Sequence, residues 1–485
     1  MTIEKFKRKL TVIFSSDRLA RLKKGALKFW KSIPTALKAA ATIVIALNAG
    51  WQLYSRLTPS VEVIPKEKGI PSVSKIEVAS KEKMAFPLPD VPSIAVLPFV
   101  NMSEDPKQEF FCDGITESII TALSKVPSLF VISRNSTFFY KGKPVKVKQV
   151  SEELGVRYVM EGSVQRSSDR VRITAQLIDA LSGNHLWAER YDRELKDLFA
   201  LQDEITTKIL TATQVKLTAG ERASMVEKYF RGKQGLDCYL KILEGSKYLQ
   251  LHTIEANSVA RRIAEEAIVM CPKIPWAYNL LAWIYRQEYR FGSAKSPGET
   301  IEKTIEMAQK TLALDDSIAE AHALLSHMYC AIREYDKAIA EGERAVALDP
   351  SGAVAHEWYA MTLIYAGQPD EAIPLLQKAI RLSPLGSTSN FVFLGHALRM
   401  AGRFEDAVSA YKKALQLSPH NIFPHIGLAV TYMQIGREKE ARSEVEEILR
   451  LNPKFSLDSF AKTLSYKDQS VTDNFVDALR KAGLK

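Results

Sequence analysis

Few side chains in this chain have the type and spacing to do chemistry, and the first of them stands near its start. The stretch RKLTVIFSSD (residues 8–17) runs from basic residues through a strand-forming apolar run to Asp17. A strand ending in a carboxylate is how a metal-dependent phosphoryl-transfer site begins, but such a site needs a second carboxylate to hold two Mg²⁺ ions. An apolar segment begins about twenty residues after Asp17 and leaves no room for that partner. The stretch therefore reads as a stub, not a site. Asp113-Gly114, near a predicted helix start, reads as capping, with backbone N–H groups that would otherwise gather an anion. No GxxxxGK[ST], HExxH or GxSxG occurs. Cys112, Cys238, Cys271 and Cys330 are scattered, without a CxxC or a nearby histidine pair. That excludes a zinc site, and because all four fall in helical patterns they read as buried free thiols, although export would allow pairing. The expectation is a non-enzyme with no cofactor and no metal.

The net charge of +10 belongs mostly to one short arm: residues 1–38 hold eleven Lys/Arg against Glu4 and Asp17, leaving about +1 for everything else. Nucleic-acid binding by the main body is not expected. Residues 33–54, ending in AAATIVIALNAGWQLY (39–54), reach bilayer length as a helix, with Lys38 able to snorkel and Trp51 and Tyr54 placed for an interfacial belt. The segment reads as a single transmembrane anchor. The positive-inside rule puts the arm in the cytoplasm and the later domains on the other side of the membrane. Residues 55–92, rich in proline and mixed charge, read as a linker.

Residues 93–218 carry the pattern β-α-β-α-β-β-β-α. SIAVLPFV (93–100) is a buried-strand run, and Phe111, Ile115, Ile119 and Leu123 make one stripe of a helix. In RVRITAQLID (170–179), Val171, Ile173, Ala175 and Leu177 share one strand face while Arg172, Thr174 and Gln176 share the other. That is a sheet with one buried face, the mark of an α+β layer.

From about 236 to 453 the chain repeats. Pro350, Pro384, Pro419 and Pro453 close four units, and Ala338, Ala372, Ala407 and Ala441 fall where two helices cross tightly. Gly367, Gly402 and Gly436 turn the chain between helices. This is the tetratricopeptide period, an all-α solenoid. Two looser units precede it, the second with an inserted loop at 289–300, and 454–485 reads as a helical cap. His322, His356 and His425 recur at one packing position. The inner wall, a groove for an extended peptide or partner helix, is expected to present Glu320, His327, Glu357, Met361, Val392, His396, Arg399, Ile426 and Met433. His185, beside Trp187, reads as an ordinary sheet residue.

Residues 93–218 resemble the amino-terminal domain of TolB, also called FlgO-like, through FFCDGITESIITALSKV, VISRNSTFFYKGK and ELGVRYVMEGSVQRSSDRVRITAQLIDALSGNHLWAERYDREL. The resemblance covers about a quarter of the chain. It implies a module that is typically followed by tetratricopeptide repeats and often preceded by a class III adenylate/guanylate cyclase domain or a winged-helix DNA-binding domain. RKLTVIFSSD looks like the first strand of such a cyclase, with Asp17 at a metal-ligand position. The expectation is a membrane-anchored scaffold or sensory protein that binds proteins or peptides in its solenoid groove, with self-association open. The alternative is a regulator of nucleotide cyclase signalling that works with a catalytic partner in trans.

Overall fold

Strand β1 (Ser93–Val96) is buried along its whole length, because layers cover both faces of the sheet to which it belongs. The computed structural model describes residues 77–484 apart from 216–229, 231, 294–295 and 387. The cyclase-like stretch and the expected anchor at 33–54 lie outside the described residues. Among the described residues no helix is long and apolar enough to cross a membrane.

The sheet runs in the order β3-β1-β4-β5-β6. Strand β1 pairs in parallel with β3 (Phe130–Val131) and with β4 (Tyr158–Ser167), in register Ile94 to Tyr158. Strands β4, β5 (Arg170–Asp179) and β6 (Asn184–Glu194) then form an antiparallel meander. A two-residue β2 (Val100–Asn101) joins the far end of β4. Helix α1 (Glu109–Ser124) buries Phe111, Ile115, Ile119 and Leu123 completely against one face, as the stripe requires. On β5, Val171, Ile173, Ala175 and Leu177 are likewise buried while Arg172 and Thr174 face solvent. Short α2 (Arg134–Thr137) and α3 (Val147–Leu154) cover the opposite face, α3 ending at Gly155 in the left-handed region (φ 64°). Helix α4 (Leu198–Ala212) closes the layer beside α1.

Asp113 and Gly114 lie inside α1 and not at its start. Asp113 pairs with Lys141 at 2.6 Å, and a Cβ on Gly114 would stand 2.5 Å from the Leu243 side chain, so the glycine admits a neighbouring helix. The capping and anion readings both fail there. Part of the expected linker is also held. Ala79 N donates to Ala180 O at 2.8 Å, and Ala85 N donates to Glu152 O at 2.8 Å.

The solenoid follows as six antiparallel pairs: α5 (Gly232–Leu249) with α6 (Ile254–Met270), α7 (Pro275–Phe291) with α8 (Pro297–Leu314), α9 (Ala319–Ala331) with α10 (Tyr335–Leu348), α11 (Ala353–Ala366) with α12 (Pro369–Leu382), α13 (Thr388–Met400) with α14 (Phe404–Leu417), and α15 (Ile422–Gln434) with α16 (Glu438–Leu451). Ala338, Ala372, Ala407 and Ala441 are fully buried at the crossings. Gly367, Gly402 and Gly436 have φ of 88°, 75° and 75°, and Arg333 holds the equivalent position at φ 66°. Much of the expected inserted loop at 289–300 is helix: α7 continues through Phe291 and α8 begins at Pro297. Cys238 of α5 and Cys271 at the end of α6 form a disulfide, where free thiols were expected, because the antiparallel pair brings the two together. Cys112 and Cys330 are buried free thiols, each pushed up to about 12 by burial.

The sheet region and the solenoid share their cores. One apolar cluster runs from Ile94, Phe111 and Ile115 through α4 into Tyr239, Leu280 and Ile284 of α5 and α7. Another joins Ala95, Phe130, Leu154 and Val159 to Ala353 and Leu382 of α11 and α12. The solenoid therefore touches the sheet region on both of its layers.

Candidate functional site

Polar bonds fix how the two regions meet. Arg381, in the last turn of α12, donates to Leu154 O (2.9 Å), Gly155 O (2.6 Å) and Pro87 O (3.2 Å), so its guanidinium supplies the missing donors at the end of α3. It also lies 4.7 Å from the Phe130 ring, and burial pushes its pKa down to about 10. Ser351 accepts from Val131 N and donates to Leu129 O, each at 3.3 Å, while its own N–H donates to Ser124 O at 3.2 Å. Ser133 N donates to Leu382 O at 2.9 Å.

Between these joints remains a cavity of about 460 Å³. Helices α1 and α2 form one wall, and the inward faces of α5, α7, α9 and α11 form the other. Its apolar part comes from residues such as Ile242, Leu243, Leu280, Trp276 and Trp283. Its charged groups are Glu117, Arg134, Arg286, Glu320 and Asp349, with His252 at the wall as well. Arg134 is paired with Glu117 at 3.1 Å and donates to Gln250 at 2.9 Å. Arg286 lies 4.8 Å from the Trp358 ring, near Glu357, and burial lowers it to about 10. Burial also raises Glu320 to about 7 and Asp349 to about 6, and the nearby Asp349 and Glu117 carboxylates raise Glu320 further.

The structure places the expected groove residues unevenly. Glu320 lines the cavity. His327 stands edge-on to Trp358 at 4.6 Å, held well below its ordinary pKa by burial and by Arg286. Glu357 and Met361 are buried on α11, and Val392 and Ile426 are buried in the core of the later units. Part of the remaining wall is covered by the chain itself. After α17 (Leu457–Ala461), Tyr335 OH donates to Ser465 O at 2.6 Å and Lys467 N donates to Tyr365 O at 2.8 Å. Helix α18 (Gln469–Lys481) then sets Phe475 6.2 Å from the His396 ring and 5.0 Å from the Arg399 guanidinium. Arg399 is buried, and burial lowers His396 to about 3. Met433 is half-buried against the same cluster.

The histidines at the recurring position are structural. His322 bonds Glu341 at 2.5 Å, His425 bonds Glu444 at 2.6 Å, and His356 bonds Gly352 O at 2.9 Å. His185 is exposed on β6. The sequence reading missed Asn279, Trp283, Arg286 and Asp349. The first three lie in the looser second unit, whose inner wall had no register, and Asp349 stands at a repeat boundary where later units carry Ser383, Ser418 and Asn452.

With this geometry in view, comparison with known proteins matches tetratricopeptide repeat families at residues 360–422 and 398–458. Residues 90–208 match the second domain of HilA/YgeH-like transcriptional regulators, a description different from the TolB-like one. A curated relative, "Putative adenylate cyclase 3" of Rhizobium meliloti (strain 1021), is 43% identical over 251 residues, which is 52% of this chain and 42% of the relative. The chain thus spans less than half the length of that relative. Among solved structures, YrrB, a TPR protein with an unusual peptide-binding site, is 21% identical over 41% of this chain and 98% of its own, with a TM-score of 0.30. Pseudomonas aeruginosa pilF is 18% identical over 46% of this chain and 95% of its own, with a TM-score of 0.37. The all-helical region that follows the sheet is thus a tetratricopeptide solenoid, matched as such over residues 360–458, and this architecture serves protein interaction.

Proposed function

We propose that this chain is a non-catalytic interaction protein, anchored in the bacterial inner membrane by residues 33–54, with its folded part in the periplasm. The observation that carries the interaction role is the solenoid of six helix pairs, matched by tetratricopeptide families over its last units. Two observations support the compartment. Cys238 and Cys271 are joined, as suits an oxidising space, and the two remaining thiols are buried and protonated, so they would survive there unpaired. A partner peptide would use the part of the concave surface that α18 does not cover, where His327 and Met433 keep part of their exposure. The sheet region, TolB-like in this reading, would brace the solenoid.

The test is photo-crosslinking in intact cells, with a benzophenone residue at Met433 or His327 of the full chain and at exposed Arg442 as the control. A discrete adduct from the concave positions alone is expected. No adduct, or equal labelling from Arg442, would overturn the groove reading. A cysteine at Ser74, labelled by an impermeant maleimide only after the inner membrane is broken, would overturn the topology.

A second reading, a regulatory part of a nucleotide cyclase system, is favoured by the relative named an adenylate cyclase. In it the chain acts with a catalytic partner in trans, so purified protein should show no turnover of Mg²⁺–ATP or Mn²⁺–GTP above blank. Turnover by the chain alone would refute both readings.

A further inference from the structure

The cavity between the sheet region and the solenoid has the makings of a site in its own right. Asn279 is 6% exposed and lines it, yet its carbonyl oxygen Oδ1 has no hydrogen-bond partner. A buried acceptor left empty costs about 1–3 kcal/mol, so the position needs a donor. Asp349 Oδ1 is also buried without a partner, and Glu320 lines the same space. Asn279 Oδ1 and Asp349 Oδ1 are thus two buried acceptors without a partner, and Glu320 adds a second carboxyl group to the same lining.

The cations at hand do not fill the gap. Arg134 is committed to Glu117 and Gln250. Arg286 is held over Trp358. Lys125 acts on Glu320 and Asp349 electrostatically but makes no ion pair with either among the described residues. A metal ion is not the answer, because among the described residues no three His, Cys, Asp or Glu side chains stand close enough to hold one. Much of the remaining wall is apolar, and Trp276 and Trp283 add aromatic rings of the kind that attract ammonium groups. At about 460 Å³ the space fits a small organic molecule.

We infer that this cavity binds a primary ammonium group carried on an apolar body, with Asn279 Oδ1, Asp349 and Glu320 receiving the ammonium and Trp276 and Trp283 packing the body. The ammonium is either that of a free amine or that of a lysine side chain on a peptide. The inference does not depend on whether the outer groove binds a partner.

Isothermal titration of the full chain with phenethylamine tests it, with 2-phenylethanol as the neutral counterpart and acetyl-Phe-Lys-amide as the peptide-borne amine. Saturable 1:1 binding is expected for the amine, at least tenfold weaker for the alcohol. Glu320→Gln and Asp349→Asn should each weaken the amine tenfold or more while leaving the alcohol unchanged. Each replaces a buried carboxyl by a neutral amide of the same shape, and circular dichroism confirms that the variants fold. Transfer of NMR saturation from indole protons to the bound amine should place it against tryptophan. Tighter binding of the lysine peptide than of phenethylamine would assign the site to peptides, and the reverse to free amines. Equal binding of amine and alcohol, unchanged binding in both variants, or no saturation up to about 10 mM would overturn the inference.

Discussion

Replacing Arg381 by alanine removes three bonds that tie α12 to the end of α3. The bonds, at 2.6, 2.9 and 3.2 Å, all come from one guanidinium to carbonyl oxygens, two of them at a helix C-terminus. A hydrogen bond to a charged group contributes about 1.5–3 kcal/mol, and the longest of the three contributes least. The site is half-buried, so water recovers part of the loss at Pro87 and Gly155. The guanidinium also covers Phe130, whose ring would lose a stacked neighbour. Taken together, the joint should weaken by about 3 kcal/mol. Native-state hydrogen exchange reads this locally. Amides of β1, β3 and α3 should exchange through an opening made easier by that amount, while amides of α15 and α16, remote from the joint, keep their protection. Arg381→Lys should recover under half of the loss, because one ammonium cannot span three carbonyls. A loss below about 0.5 kcal/mol, or an equal loss across the whole solenoid, would refute the idea that Arg381 fastens the two regions.

Three further outcomes follow from the same geometry. Arg333→Gly should stabilise the chain by about 0.5–1 kcal/mol in urea denaturation, since Arg333 holds φ 66° where three equivalent units use glycine. Gly162→Ala should cost about 1–3 kcal/mol, because its Cβ would stand 2.7 Å from the buried Phe99 ring, and a shift in urea midpoint measures it. Burial holds Glu320 at about 7 and Asp349 at about 6, so the folded chain prefers both protonated. Their contribution is full below the unfolded values near 4 and is lost as pH rises through about 6 and about 7, so a Glu320→Gln/Asp349→Asn double variant should lose less Tm than the parent between pH 4 and 8.

Helix pairs and strand faces were legible because each is written locally. Ala338 and its three counterparts fix the crossings, and alternation along 170–179 fixes the buried face of β5. The Cys238–Cys271 bond was not legible, because it depends on how α5 and α6 align across a turn and not on any short motif. Repeat register assigned inner-wall positions such as Met361, Val392 and Ile426, which are buried. What it could not show is what lies over them, since the C-terminal segment reaches back to residues far away in sequence: Phe475 meets His396 and Arg399, and Ser465 meets Tyr335. The cavity was missed for a related reason. Its empty acceptor, Asn279, sits in a unit with lengthened helices, and its opposite wall belongs to a different architecture.

That covering changes what the solenoid's concave side is for. In a free solenoid an inner wall of Met361, Val392 and Ile426 would present apolar surface to a partner. Here those side chains are buried, and the sheet region contributes Phe130, Leu154 and Val159 to a core that Ala353 and Leu382 complete. Two apolar clusters close on either side of the sheet region, while the space between α1, α2 and the solenoid stays open, lined mostly by apolar side chains with a few polar groups among them. Packing to crystal-like density would normally eliminate such a space, and burying acceptors without donors opposes folding. A ligand that supplied those donors would favour the joined arrangement of both regions over any arrangement that parts them, by RT ln(1 + [L]/Kd). Occupancy of the cavity and the grip of the solenoid on its own sheet region are therefore one equilibrium, with Arg381 and Ser351 holding the joint on which both depend.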